Sequence, residues 1–329
     1  MLMGMSASSP LPLMLPSTRP RIDVRLVVAL LALYLIWGST YLAMRVAVVG
    51  LPPFGMAGTR FVLAGGALLA ITRTRGETMP SMRAWLVAVP VGALLFLCGN
   101  GLVVVAEQTL PSSVAAIVCA TTPLVASGLM AIGGERPKRA EIFGMVLGIA
   151  GVALLGVGSP LAVAGWRALL VLLAPIGWAM GSLIARSEAA KAGSTSRGLG
   201  AAGAQMIAGG AWMLLMSLVL GEHLPKELAW SSVLAWGYLV VFGSLIGFSA
   251  YSWLLAHSRP AVAMSYAYVN PVIAVLLGAA LGGEVLGWPT LVATALIGGG
   301  VMAAVVIGRK PRPRSSEEPT PARVRAIGD

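Results

Sequence analysis

Charge is what this chain has least of. Asp, Glu, Lys and Arg make up 11% of its 329 residues, and aromatics make up 6%. A soluble domain is about 25% charged and roughly 45–50% apolar. Here 57% of residues are hydrophobic and mean hydropathy is +0.87. No soluble core of this size could bury that much apolar surface, so a bilayer must. Histidine and cysteine are scarce too, with two of each. His223 and His257 lie far apart and flank opposite membrane sides, and there is no HExxH, no metal-spaced Cys/His set and no phosphate-cradling loop. Cys98 and Cys119 fall mid-helix and read as reduced core thiols. These gaps argue against a metal or other cofactor, against an ATP-driven pump acting alone, and against an enzyme, which would need a reactive pair at one depth.

The apolar residues come in long runs that do not alternate, as helices require and barrel strands do not. A bilayer core takes roughly 20 apolar residues per helix. Ten such segments are predicted: 25–48, 54–72, 84–105, 112–132, 142–157, 167–185, 199–220, 232–255, 261–281 and 288–307. The expected fold is an all-α integral membrane protein of ten transmembrane helices. Short connections leave no room for a soluble domain. The tails, 1–24 and 308–329, are rich in Pro, Ser and Arg and are expected to be disordered. The first helix is long enough to act as an uncleaved anchor.

The second half repeats the first. Trp37 and Arg45 in WGSTYLAMR are eight residues apart, as are Trp178 and Arg186 in WAMGSLIAR. GMAGTRFVLAGGA from Gly55 matches GAAGAQMIAGGA from Gly200, and SVAAIVCATTP (Ser113–Pro123) matches AVAMSYAYVNP (Ala261–Pro271). Gly-Gly-Glu follows each: Gly133, Gly134, Glu135 and Gly282, Gly283, Glu284. The offsets are 141, 145 and 148, a slow drift that small loop insertions explain. Two units are expected, 25–157 and 166–307. Carriers are often built this way.

Charge sets the orientation. With the N-terminus inside, ten helices place Arg45, Arg167 and Lys226 outside and Arg60 within a helix, leaving the rest of the 23 Lys and Arg inside. Both termini are then cytoplasmic, and the net charge of +11 reflects topology rather than nucleic-acid binding. The KPRPR run from Lys310 is a solvated tail or a contact for anionic headgroups. Each unit has an odd number of helices, so the second enters from the opposite side. Such inverted repeats give a carrier inward- and outward-open forms with a site near the midplane.

Pro123 and Pro271 occupy matching places in the fourth and ninth segments. Each removes an amide donor, freeing the carbonyls of Cys119 and Ala267 beside Thr121, Thr122 and Asn270. These are either solute contacts or packing kinks with the threonines bonded to their own backbone. Phe96, Asn100, Val103 and Glu107 share a face of the third segment. Glu107 is a proton or cation site, or a headgroup-level carboxylate paired with Arg45 or Arg60. Arg60 could snorkel outward, pair with Glu107 or bind a solute carboxylate; its repeat mate is the neutral Gln205. Phe248 with Tyr251, Tyr266 with Asn270, and the mates Trp37 and Trp178 either line a cavity or pack. Trp85, Trp166, Trp230 and Trp288 read as interface-belt residues. Gly144, Gly148 and Gly298–Gly300 make the fifth and tenth segments a scaffold or the face of a homodimer.

AEQTLPSSVAAIVCATTPL (Ala106–Leu124), WGSTYLAMRVA (Trp37–Ala47) and SYAYVNPVIAVLLG followed by Gly283-Glu284 resemble EamA-type drug/metabolite exporters of the drug/metabolite transporter superfamily. The resemblance spans both repeats. It implies an inner-membrane carrier whose central cavity is lined by the third, fourth, eighth and ninth helices. It also implies export of amino acids, related metabolites or drug-like compounds. On that pattern Asn100, Thr121, Tyr251, Tyr266 and Asn270 carry over as cavity positions. The reading is a secondary exporter working by alternating access. The alternatives are a phosphorylated-solute or nucleotide-sugar exchanger, which would want a second cation beside Arg60, and a non-transporting membrane scaffold.

Overall fold

The computed structural model describes residues 23–134, 139–155, 165–191, 198–257 and 266–303. Of the predicted tails, only Asp23 and Val24 are described, and rather than being disordered they cap and open the first helix; the rest of both tails, the KPRPR run, Glu135, Arg136, Lys138, Arg197 and Arg259 fall outside the described residues. Every regular element described is helical: α1 (Val24–Gly50), α2 (Pro53–Thr74), α3 (Met82–Ala106), α4 (Ser112–Ile132), α5 (Arg139–Leu155), α6 (Trp166–Lys191), α7 (Leu199–Val219), α8 (Trp230–Leu254), α9 (Tyr266–Ala280) and α10 (Trp288–Met302). Seven of these, α1 to α4 and α6 to α8, are long and apolar enough to cross a membrane. Two shorter apolar stretches, Ile142–Leu154 and Val269–Ala280, lie in α5 and α9. At 1.5 Å per residue the 27-residue α1 is about 40 Å long, enough to span even when tilted. The outward faces are apolar, as lipid demands: Leu35, Phe143, Ile149 and Leu218 are all exposed.

Glycine lets the two halves approach closely. On α2 and α7, a Cβ at Gly58 would lie 3.0 Å from the Gly210 carbonyl, and one at Gly65 would lie 2.7 Å from the Gly203 carbonyl. Gly58 and Gly203 are repeat mates, as are Gly65 and Gly210, so each contact is the other with its partners exchanged. Helices that meet this way run antiparallel about a local two-fold axis. On α5 and α10, Gly300 abuts the Gly144 carbonyl and Gly151 abuts Ile297. Those glycines therefore pack the two helices onto each other within one chain. Gly298 and Gly299 face open space.

Both α3 and α8 contain a stretch of π-helix, Ala93–Gly101 and Leu239–Ile246, which the 3.6-residue reading missed. The wider turn shifts the polar stripe. Asn100 and Val103 reach the central cavity, whereas Phe96 turns onto Phe61 and Phe248, with ring centroids 4.5 and 5.3 Å away. π-turns recur at functional sites because they leave backbone carbonyls free for other partners.

The matched prolines do not act alike. α4 breaks at Ala120–Thr121, with helix Ser112–Cys119 before and Thr122–Ile132 after. α9 runs unbroken through Pro271. The expected pair of symmetric breaks is thus one break and one continuous helix. At the break, Thr121 Oγ1 donates to the Val118 carbonyl at 2.7 Å, and Thr122 Oγ1 donates to the freed Cys119 carbonyl at 2.6 Å. The threonines satisfy their own backbone. Of the four belt tryptophans, Trp166, Trp230 and Trp288 are exposed and Trp85 is half-buried.

Candidate functional site

α1, α2, α3, α4, α6, α8 and α9 enclose a cavity of about 80 Å³. Its wall is aromatic at Trp37, Tyr41, Trp178, Phe248 and Tyr266, and polar at Thr40, Arg60, Asn100, Thr122 and Asn270. Tyr251, Thr121, Glu107, Pro123 and Pro271 lie off this wall. Tyr251 backs it, tilted against Trp37 at 5.2 Å and edge-on to Tyr266 at 5.9 Å.

Trp37 is the hub. Its ring meets Trp178 at 6.0 Å, Phe248 at 5.2 Å and Tyr266 at 5.0 Å, mostly edge to face, the arrangement aromatic quadrupoles favour. Its Nε1 donates to the Gly243 carbonyl, 3.1 Å away in the π-stretch of α8. The indole lies against Gly247, where a Cβ would collide with Nε1. Trp178 lies on Gly99 of α3, where a Cβ would come within 3.0 Å of the ring. Gly99 and Gly247 are repeat mates at an offset of 148, so the two tryptophans form one motif used twice across the halves.

Three cavity-facing polar atoms are buried without a partner among the described residues: Arg60 Nη1, Asn100 Oδ1 and Asn270 Oδ1. Leaving such groups unpaired costs about 1–3 kcal/mol each, and more when charged. Arg60 is 3% exposed, so it does not snorkel outward. Its Nε donates to Ser244 Oγ at 2.7 Å and its guanidinium lies 4.6 Å from the Phe61 ring. Asn100 has only a long contact to Met44 Sδ, 3.8 Å. Cys98 and Cys119 are free thiols.

The expected pairing of Glu107 with Arg45 does not form. Arg45 pairs with Glu284, whose carboxylate reaches back across the bundle. Glu284 Oε1 accepts from the amide and hydroxyl of Ser112, both at 2.7 Å; Oε2 accepts from the Ser113 amide at 3.2 Å and from the Ser113 hydroxyl. Glu284 thereby caps the N-terminus of α4, where a carboxylate meets orphan amides and a favourable dipole. Burial pushes its carboxyl up, but the Ser112 and Ser113 donors outweigh that and hold it below the ordinary carboxylate value. Glu107, 2% exposed at the end of α3, has neither oxygen hydrogen-bonded among the described residues.

Sequence reasoning treated Glu284 only as a repeat marker. The missed signal was Gly-Glu itself. Gly283 adopts φ +63°, which ends α9 and turns Glu284 back toward α4. Gly221 does the same at φ +64°, and Glu222 caps α2 through the amides of Phe54 and Gly55 at 3.1 and 2.8 Å. Gly76, at φ +68°, presents Glu77, the mate of Glu222, by the same turn: the Glu77 amide bonds Thr72 O and the Glu222 amide bonds Ser217 O. Glu77 is exposed, and so is Arg186, the mate of Arg45.

The profile of the EamA-like transporter family matches residues 25–157 and, a second time, residues 165–306. The chain belongs to this family. This EamA-like protein is 42% identical over 259 residues to the inner membrane transporter YedA of Escherichia coli K12, covering 78% of this chain and 83% of that one. It is 33% identical over 129 residues to the protein PagO of Salmonella typhimurium, covering 37% and 40%. A crystal structure with 22% identity aligns with a TM-score of 0.62 over 87% of this chain and 99% of its own, a likeness of fold. The EamA-like chain is therefore a membrane transporter, homologous to an inner membrane transporter of the drug/metabolite transporter superfamily.

Proposed function

We propose that this transporter exports small amphipathic metabolites, amino acids or close relatives, by alternating access about the aromatic cavity. Ten crossings arranged as two inverted five-helix repeats, with both termini cytoplasmic, is the topology that fits. The antiparallel contact of α2 with α7, glycine mate against glycine mate, supports the inversion. The observation that carries the reading is the set of unpartnered polar atoms, Arg60 Nη1, Asn100 Oδ1 and Asn270 Oδ1, on an otherwise aromatic wall. A cation and two acceptors suit a solute with a carboxylate and an N–H donor, while the rings take its apolar part. A phosphorylated solute would need a second cation, and among the described residues Arg60 alone supplies one to the wall.

A cavity of about 80 Å³ is far below the roughly 300–1,000 Å³ of small-molecule sites, so solute entry requires opening. The capping glutamates supply a route. Glu222 and Glu284 tie the halves together at one end of the bundle, while Glu77, the mate of Glu222, and Arg186, the mate of Glu284's partner Arg45, are exposed. On the charge-derived topology, the tied end is extracytoplasmic. The test is efflux of a labelled amino-acid mixture from proteoliposomes by wild type and Asn270→Leu. We expect saturable wild-type efflux, abolished in Asn270→Leu with expression and folding retained. An unchanged rate in the variant would sink the site assignment.

A further inference from the structure

This inference rests on the reading that Arg60 receives a solute carboxylate. We propose that Glu107 is a proton-binding site whose occupancy decides whether Arg60 is free to hold the solute, so that proton and solute carboxylate travel together. The geometry is a pair of complementary groups left unjoined. Glu107 follows Ala106, the last residue of the α3 span, and is 2% exposed with neither oxygen hydrogen-bonded among the described residues. Arg60 on α2, which packs against the Leu102–Ala106 end of α3, is 3% exposed with Nη1 likewise unpartnered.

Apart from Arg167, whose Nε has no hydrogen-bond partner among the described residues, the other charges named here are engaged. From α1, Arg45 pairs with Glu284, and Tyr41 shares the cavity wall with Cys119 of α4. Between α9 and α10, Glu284 holds Ser112 and Ser113. From α6, Arg167 lies over the Trp166 ring at 4.9 Å. From α7, Glu222 caps α2. α8 presents Ser244, which accepts from Arg60 Nε. Of the two cations that act on an ionised Glu107, Arg45 is paired with Glu284, so the uncommitted counter-charge is the free arm of Arg60. A carboxyl out of water with no donor is more stable carrying its proton.

The linkage follows. When Glu107 releases its proton, its carboxylate competes with the solute for Arg60 Nη1. When it binds a proton, taken from the water on the side then open, the guanidinium is left to the solute. Coupling is reciprocal, so solute binding must also favour protonation. One linked proton makes apparent affinity fall by at most about tenfold per pH unit once Glu107 ionises. Efflux would then run on the solute's own gradient, each carboxylate leaving with a proton.

Two measurements test this. The first uses purified protein without solute, followed by infrared difference spectroscopy between acid and alkaline buffer. We expect the carbonyl band of a buried protonated carboxyl, lost as pH rises, absent from Glu107→Gln, and persisting to higher pH in Arg60→Gln. A band unchanged in Glu107→Gln, or one that Arg60→Gln does not move, overturns the proposal. The second is efflux of the amino-acid mixture at equal pH on both sides. Wild-type flux at subsaturating solute should fall as pH rises, and Glu107→Gln flux should stay at the acid level throughout. A flat wild-type profile, or a wild-type profile retained by the variant, also overturns it. Absence of wild-type flux for the whole mixture counts instead against the amino-acid reading, and the infrared result still decides whether Glu107 and Arg60 are coupled.

Discussion

Replacing Glu284 should loosen one end of the bundle by an amount the hydrogen bonds predict. Its side chain is 2% exposed, whereas that of Arg45 is 35% exposed. Water therefore screens the ion pair, which is worth at most about 1 kcal/mol. The buried donors matter more. Glu284→Gln keeps one oxygen for Ser112 but turns an NH₂ toward the Ser113 amide, orphaning that donor at about 1–3 kcal/mol. With the lost charge, the total is about 2–4 kcal/mol. Glu284→Ala orphans both amides and should cost about 3–5 kcal/mol. Ser113→Ala removes one bond and orphans nothing, so about 1–2 kcal/mol is expected. Unfolding of the detergent-solubilised protein, followed by tryptophan fluorescence, gives the order Ala, then Gln, then Ser113→Ala. The same series has a pH signature. Because the folded carboxyl lies below its ordinary value, its stabilisation is present above the unfolded-state pKa and is lost as pH falls through the lowered folded one. Wild type should thus lose stability in acid across that window while Glu284→Gln does not. A Gln variant within about 0.5 kcal/mol of wild type, or one equally acid-sensitive, would refute the capping argument.

Gly247→Ala drives a Cβ into the Trp37 indole and threatens its bond to Gly243, so it should cost about 1–3 kcal/mol. Its mate Gly99→Ala meets Trp178 at 3.0 Å and should cost less, while Gly298→Ala, facing open space, should be neutral or slightly stabilising; thermal unfolding ranks all three. Glu77 and Glu222 are mates on identical turns, so their glutamine variants should shift the open-inward and open-outward populations in opposite directions. Thiol labelling of single cysteines placed at each end reads those populations, and a same-direction shift would contradict the exchange of caps.

The helices and the duplication were legible because each is a property of long windows. Hydropathy sums over roughly 20 residues, and a repeat sums over more than a hundred. What failed were readings that relied on ideal helical spacing. The π-stretches of α3 and α8 moved Phe96 off the cavity wall while leaving Asn100 on it. The matched prolines looked equivalent, yet α4 breaks beside Pro123 and α9 does not break at Pro271. A proline fixes its own φ and removes one donor, but neighbours decide whether the helix bends or stops. Thr121 and Thr122 were available to repair the first site with their own hydroxyls. Of the readings left open for Glu107, pairing with Arg45 fails, because Arg45 pairs with Glu284. Its partner is 239 positions away, a distance no local pattern encodes.

The departures from symmetry carry the functional information in a chain that is otherwise built twice. A perfectly duplicated carrier would have two equal gates and nothing to orient a solute. Here the Trp–Gly motif is duplicated, Trp37 on Gly247 and Trp178 on Gly99, and it builds the cavity. Arg60 is not duplicated, since its mate is Gln205, so the cavity has one positively charged side. The capping turns are duplicated in backbone but not in use. Glu222 is engaged while Glu77 is exposed, although both follow a left-handed glycine and bond the same carbonyl position one turn back. The same turn thus presents one glutamate to a helix N-terminus and the other to solvent. On the proposed reading, the two ends of the bundle are in different states, the condition alternating access imposes on an inverted repeat.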